Sequence, residues 1–429
     1  VSSYNWKKAV GPKRTPFFDK AWRVEDPNTF GTDEYVKMCR KIGCEPYICT
    51  NAGTGTAEEM SDWVEYCNLE TEGEFAKWRI ENGNPEPFSV KYWSIGNENY
   101  GGWEIGAKSA EEWGRLVLEA AKMIKHVDPT TELTAAALAD LDWNINLLKH
   151  CGNRLDWISI HKYWDMIHET NACADYEQVM AYTNDLETDI NKVRGLLTAM
   201  GLEKQIKIAY DEWNLRGWYH PNAHTVKQGI RKEDYLYPRD KNDDNSLYTM
   251  ADAVFSACFL NTCNRNCDLV GMANFAPIVN TRGCIYTHKD GIVLRSTYHV
   301  FDLYVNYLGE QILDVWEEDP KQMTVIDRLG EKTEIDELDV IATYRAMEKL
   351  VAIAAVNKNA EATRQLELSI QGEFAGREYR ICSVNGENVN SYNDIGSEQV
   401  KLVVEDWKPM PTPAAFELAP HSVNVIQIR

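Results

Sequence analysis

Between Gly31 and Gly309 the apolar positions follow two alternating rhythms. "GTDEYVKMCRKIG" (31–43) has helical spacing and a closing glycine. "CEPYICTN" (44–51) is a short apolar run and predicts a strand. Thr56 and Glu59 form a capping-box pattern that opens a helix through "TAEEMSDWVEYCN". "FSVKYWSIGNE" (88–98) predicts the next strand. Ser109 and Glu112 repeat the capping box, and the helix they start places Trp113, Leu116, Val117, Ala120 and Ile124 on one face. "ELTAAALAD" and "DWISIHKYW" predict strands. "LETDINKVRGLLTAMG" predicts a long helix that stops at Gly201. "QIKIAYDEW" (205–213) is a strand, "SLYTMADAVFSACFLNTCNRN" a helix, "DLVGMANFAPIV" a strand and "STYHVFDLYVNYLG" a helix.

Strands alternating with helices imply parallel pairing through right-handed crossovers. The strands are short and apolar throughout, as expected where both faces are covered. Polar and titratable residues gather at their C-terminal ends: Asn51, Asn97-Glu98, His161, Asp211-Glu212 and Asn274. That is where a (β/α)8 barrel places its chemistry. The rival is a doubly wound open sheet, which wants a glycine-rich phosphate turn. "AGTGT" (52–56) is a weak relative of one, and it follows an Asn instead of opening a βαβ unit. Six strands are legible where a barrel needs eight, and the chain opens with loop-like sequence before any strand.

After Gly309 the rhythm changes to period two. "LDVIATYRAMEKLVAIAAVNKNA", "RQLELSIQG", "REYRICSVNG" and "SVNVIQIR" alternate, with turns at "NKN", "QGEFAG" and "NGEN". The expected organisation is a barrel over residues 1–309 and an all-β sandwich over 310–429 that acts as a structural partner domain.

Composition narrows the function. The 429 residues are 44% hydrophobic and 26% charged, as in a soluble globular protein, and no apolar run reaches the ~18 residues of a membrane span. A formal net charge of −21 with no basic stripe argues against nucleic acid. Neutral substrates fit better, and aromatic platforms among the 14 Trp and 21 Tyr suit sugar faces. The 11 Cys lack disulfide-like spacing and are expected to be reduced. Cys263 and Cys267 share a helical spacing, yet no His or Cys pair completes a metal set, so neither metal nor cofactor is expected.

Glu98 and Glu212 each end a strand, and in a barrel both point into one cleft. Cleaving a glycosidic bond requires one protonated and one ionised carboxyl, about 5–5.5 Å apart for retention and wider for inversion. Asn97, just before Glu98, offers an amide to a sugar hydroxyl. Trp93 and Trp103 are placed to dry Glu98 and raise its pKa. His161 and Tyr163 alternate on the preceding strand and are candidate donors that hold Glu212 ionised and aimed. Trp22 and Trp103 are each either core or a stacking wall.

These residues resemble a known family. "GNENYGGWEIG" is similar to the acid/base motif, and "YDEWNLRGWYH" to the nucleophile motif, of the family 51 glycoside hydrolases, the α-L-arabinofuranosidases. "YNWKKAVGPKRTP", "AWRVEDPNTFGTDEY", "EPYICTNAGTGTAEEMSDWVEYCN", "DWISIHKYW", "VLRSTYHVFDLYVNYLG" and "ELAPHSVNVIQIR" follow in the family's order. The resemblance covers essentially the whole chain. It implies a (β/α)8 barrel followed by a β-sandwich, retaining hydrolysis of terminal arabinofuranosyl units, and no metal. It makes Glu98 the acid/base and Glu212 the nucleophile. It also sets Asn97 on the sugar 2-hydroxyl, Tyr163 on the nucleophile and Trp22 against the arabinose pocket. Family members are commonly cytoplasmic in bacteria and often hexameric. The family carries a further N-terminal stretch with two barrel strands, a substrate-binding Glu and the Asn of a Pro-Gly-Gly-Asn turn. Neither of those residues precedes "YNW" here, so the natural protein is expected to be longer. "GNENYGG" also lacks the Met-Asp often found after the Glu. Two other readings remain open: an endo-acting β-glucanase or xylanase with the same Glu pair, and a sugar-binding or assembly protein that has lost catalysis.

Overall fold

The computed structural model describes residues 3–22, 24–164, 174–215, 245–327, 329–370 and 378–429. They fall into two compact units. One lies within 3–161 and 190–211; the other lies within 162–164, 174–189, 212–215 and 245–429.

The opening segment differs from the loop expected. It pairs β1 (Phe17–Asp19) with β2 (Val24–Asp26) in an antiparallel hairpin. Asp19 Oδ1 accepts the amides of Ala21 and Trp22, so an aspartate side chain holds the turn. α1 (Thr32–Ile42) ends at Gly43, whose φ of +85° suits glycine. β3 (Tyr47–Thr50), α2 (Ala57–Asn68), β4 (Tyr92–Ile95), α4 (Ala110–Val127), β5 (Glu132–Ala137), β6 (Trp157–Trp164), α7 (Asp185–Met200) and β7 (Lys207–Leu215) all stand where the periodicity puts them. Both capping boxes form, Thr56 with Glu59 and Ser109 with Glu112. Of the face expected for α4, Trp113, Val117, Ala120 and Ile124 are buried and Leu116 is half-buried.

Three helices were not anticipated: α3 (Gly73–Glu81), α5 (Leu141–Cys151) and α6 (Tyr176–Ala181). α3 buries only Ala76 and Arg79, too little for an apolar stripe. Arg79 is fully buried and donates to the carbonyls of Tyr66, Leu69, Glu70, Asn84 and Pro85. α5 did leave a signal, with Asp140 as its cap and Trp143, Leu147, Leu148 and Cys151 on its core side.

α8 (Met250–Arg265), β8 (Val270–Phe275), β9 (Ile285–His288), β10 (Gly291–Leu294) and α9 (Ser296–Tyr307) complete the series. The parallel sheet has the strand order β3-β4-β5-β6-β7-β8 among the described residues. Tyr47, Tyr92 and Glu132 lie side by side in register, and Thr134 beside Trp157. This is the sheet of a (β/α)8-type fold, and its C-terminal strand ends face one way.

A β-rich part follows: β11 (Gln311–Leu313), β12 (Gln322–Ile326), β13 (Lys332–Asp336), β14 (Leu338–Arg345), β15 (Leu350–Asn357), β16 (Arg364–Glu367), β17 (Glu378–Asn385), β18 (Lys401–Val404), β19 (Lys408–Pro409), β20 (Ala415–Leu418) and β21 (Val423–Ile428). The order β11-β14-β15-β21-β17-β18 forms one antiparallel sheet. Val340, Ile353 and Ile426 of that sheet share a core with Phe416 and Leu418 of the β16–β20 pair, which makes two layers. Every residue of β15 is buried, against the half-exposed alternation expected. Its second face is covered by α8. The "QGEFAG" turn lies outside the described residues. None of the described cysteines forms a disulfide, and Cys267 is exposed beyond the end of α8 while Cys263 is buried.

Candidate active site

In the first unit, β4 stops at Ile95 because Gly96 turns the chain at φ +70°. A Cβ there would come within 2.2 Å of Asn99 Oδ1 and 2.4 Å of the Trp113 ring. Glu98 sits at φ +48°. That left-handed region costs an L residue about 1–2 kcal/mol, and such strain collects at functional positions. The Gly101 amide closes the turn on the Glu98 carbonyl at 2.7 Å.

The Glu98 side chain is 16% exposed. Trp103 Nε1–H donates to its Oε2 at 2.8 Å, and His161 Nδ1 lies 2.8 Å from its Oε1. Trp103 rests on Gly101, where a Cβ would meet the indole at 2.4 Å. The other His161 nitrogen, Nε2, lies 3.5 Å from Asp211 Oδ1. The Asp211 side chain is 7% exposed, with the Tyr47 and Ser159 hydroxyls each donating to it at 2.7 Å. Burial, then the Asp211 charge, pushes the Tyr47 phenol well above its ordinary pKa, so it stays a donor.

This arrangement orders one proton. An indole can only donate, so Oε2 of Glu98 must accept. With Asp211 on the Nε2 side, a neutral His161 turns its Nδ1 lone pair toward Oε1 and receives the proton of a neutral Glu98. If His161 is instead cationic, both its nitrogens donate and Glu98 is the carboxylate. A proton on either partner is satisfied by this geometry.

In the second unit, Tyr163 Oη donates to Glu212 Oε2 at 2.8 Å. Trp213, next along β7, is fully buried and stacks on Phe259 with ring centroids 3.8 Å apart, so successive side chains of the strand diverge as the pleat requires. The Arg282 guanidinium lies 4.1 Å from the centre of the Tyr163 ring, and Asn214 Nδ2 donates to the carbonyls of Ala276 and Arg282.

His161, expected as a donor near Glu212, has its Nδ1 at 2.8 Å from Glu98 Oε1. Trp103 was expected as a drying wall; it is 54% exposed and acts as a donor. Trp93, also expected to dry Glu98, lies in the core. It is fully buried, donates to the Val90 carbonyl and packs edge-on against Trp63 of α2. Asn97 is half-buried and its backbone N–H donates to Asn99 Oδ1, and Trp22 sits 38% exposed beside the β1–β2 turn. Asp211, Tyr47, Ser159 and Arg282 were missed as partners. Ser159 had a signal, since Ser159, His161 and Tyr163 follow one another at period two. Tyr47 and Arg282 had none.

Comparison with known proteins identifies the family. Residues 1–181 match the alpha-L-arabinofuranosidase 1 domain, and residues 211–422 match the alpha-L-arabinofuranosidase C-terminal domain. A Halalkalibacterium halodurans protein named intracellular exo-alpha-(1->5)-L-arabinofuranosidase is 30% identical, over 93% of this chain and 79% of its own. A Bacillus subtilis protein named intracellular exo-alpha-(1->5)-L-arabinofuranosidase 1 is 30% identical, over 87% of this chain and 73% of its own. The crystal structure of a Thermotoga maritima alpha-L-arabinofuranosidase in complex with arabinose superposes with a TM-score of 0.87 at 31% identity, over 100% of this chain and 85% of the other.

Proposed function

The chain belongs to the α-L-arabinofuranosidases of glycoside hydrolase family 51, and on that premise we propose that it removes terminal α-L-arabinofuranosyl units with retention of configuration, using Glu98 and Glu212. Arabinan- and arabinoxylan-type chains and their oligosaccharides are the substrate class.

The observation that carries this reading is the placement of donors on β6. His161, beside Glu98, and Tyr163, which donates to Glu212, are two positions apart on one continuous strand. Side chains at such positions share a face and stand roughly 7 Å apart along it. One strand thus carries a donor for each carboxyl, as a two-carboxylate mechanism requires, and the family resemblance, not this spacing, supports retention.

In the first step an oxygen of Glu212 attacks the anomeric carbon while protonated Glu98 gives its proton to the departing glycosidic oxygen. The C–O bond to the leaving alcohol breaks and a glycosyl ester forms. In the second step Glu98, now the carboxylate, takes a proton from water. The water oxygen bonds to the anomeric carbon, the ester bond breaks, and both carboxyl groups return to their starting states. Asn97 is proposed to meet the sugar 2-hydroxyl and Trp22 to line the pocket. A cytoplasmic setting is supported by relatives named intracellular, and the family resemblance supports a homo-oligomer.

The test is turnover of aryl arabinofuranosides. Glu212→Ala should abolish it. Glu98→Ala should slow poor leaving groups far more than good ones, since only the former need the proton; equal slowing of both would remove Glu98 from the acid role. Release of monosaccharide, not oligomers, from arabinan distinguishes this reading from an endo-acting glucanase or xylanase.

A further inference from the structure

The turn after β8 is strained and held from a distance. Asn280 and Thr281 have φ of +57° and +47°. A β-branched residue in that region is an outlier that persists only where its surroundings enforce it. Asn214 holds the Arg282 carbonyl from one side, and a second enforcing group is Arg295, which is fully buried. Its Nη1 donates to the carbonyls of Thr281 and Gly283, the residues flanking Arg282.

Arg295 is itself aimed by the β-rich part of the chain. Its Nε donates to Asn245 Oδ1 at 2.9 Å, and Asn245 Nδ2 donates to Asp394 Oδ1 at 2.9 Å. The adjacent Asn393 donates to the Leu294 carbonyl, at the foot of Arg295. A continuous series of contacts therefore runs Asp394–Asn245–Arg295–(Thr281, Gly283)–Arg282–Tyr163–Glu212.

We propose that the β-rich part is a working component of the active site: Asp394, through Asn245 and Arg295, fixes the turn at 280–283 and so sets Arg282 against Tyr163, the donor to Glu212. Asp394 is a positioning residue, exposed at the surface and touching none of the reacting groups. A cation over the phenol face polarises the O–H and restrains the ring, so a slack turn lets Tyr163 swing off Glu212. Transition-state stabilisation is lost, while substrate binding is little changed. The idea rests on Glu212 being the nucleophile.

The experiment compares Asp394→Ala and Asp394→Asn by kinetics on an aryl arabinofuranoside and by crystallography. The Asn variant keeps the oxygen that accepts from Asn245. Asp394→Ala should lower kcat about ten-fold, as for one lost hydrogen bond to a charged group, with KM within about two-fold. Asp394→Asn should restore most of kcat. In the Ala crystal structure the 4.1 Å approach of Arg282 to Tyr163 should open, and in the Asn structure it should persist. An unmoved Arg282–Tyr163 pair in the Ala variant, or an unchanged kcat, overturns the proposal. If Asp394→Ala does not fold, Asn245→Asp breaks the same link by setting a like charge against Asp394 while keeping the acceptor for Arg295. If the parent chain turns over no arabinofuranoside, the reading of Glu212 fails, and the crystallographic arm still decides whether the turn is held from Asp394.

Discussion

His161 Nδ1 lies 2.8 Å from Oε1 of Glu98, 63 positions earlier in the chain, while its Nε2 is directed at Asp211. A histidine set between two carboxylates can pass a proton to either, which ties Glu98 to a second strand. His161→Gln keeps one polar atom at the Glu98 end but cannot become cationic. Substrates with poor leaving groups should lose roughly 10²-fold in kcat/KM, the size of a general-acid contribution. Dinitrophenyl substrates should lose much less. The comparison is a leaving-group series; a slope unchanged from the parent enzyme would take His161 out of the proton path.

Trp103 donates to the second oxygen of Glu98 and is more than half exposed. Trp103→Phe keeps the ring over Gly101 and deletes the donor. A loss of about 10-fold in kcat is expected, with the thermal midpoint within a few degrees of the parent, because a hydrogen bond to a charged group contributes about 1.5–3 kcal/mol. Steady-state kinetics beside a melting curve separate the two effects.

Tyr163→Phe removes the hydroxyl that donates to Glu212 at 2.8 Å and leaves the ring under Arg282. The nucleophile keeps its place but loses its aim, so kcat should fall about 10- to 100-fold, and inactivation by a 2-fluoro arabinosyl fluoride should slow in parallel. Unaltered inactivation would mean that Tyr163 does not serve the nucleophile.

Gly96→Ala places a Cβ 2.2 Å from Asn99 Oδ1 and 2.4 Å from the Trp113 ring, at a φ of +70°. Neither neighbour is free to give way, since Trp113 is fully buried and Asn99 is at 1% exposure. Overpacking and the left-handed backbone together should destabilise the chain by about 2–4 kcal/mol. Denaturant unfolding measures this, and a variant as stable as the parent would mean that the turn at Glu98 relaxes easily.

Asp339 of β14 meets Arg265 of α8 at 2.7 Å. Burial alone would raise its pKa; the Arg265 guanidinium and the Asn261 amide outweigh burial and hold it below the ordinary value. A carboxyl lowered in the folded state stabilises above its unfolded pKa, and that stability is lost as pH falls through the folded value. Asp339→Ala should cost about 1–3 kcal/mol at pH 7, discounted because Arg265 is partly exposed. The gap in thermal midpoint between parent and variant should close as the pH is taken below about 4. A gap that is the same at pH 7 and pH 3 would show that ionisation of Asp339 does not matter.

Much of the fold was legible because its causes are local. The capping boxes at Thr56 and Ser109 each close over three residues, and the strand ends at Glu98 and Glu212 show as abrupt changes from apolar to acidic. Elements with a weak local cause were missed. α3 buries a polar Arg79, and the β1–β2 hairpin is held by one aspartate side chain and three residues a side. β15 misled for the opposite reason: alternation predicts one wet face, and only the packing of α8 shows that both are dry.

The sequence by itself determined the alternation of the main strands and helices, the two carboxylates at strand ends and the family. Each follows from patterns read over a few residues or from motifs in a fixed order. Only the tertiary structure decided which donor meets which carboxylate. His161 and Trp103 go to Glu98, Tyr163 goes to Glu212, and Asp394 reaches Arg295 through Asn245. These pairings join residues 5 to 149 positions apart. They depend on side-chain direction and backbone strain, and a pattern of polar and apolar letters carries neither.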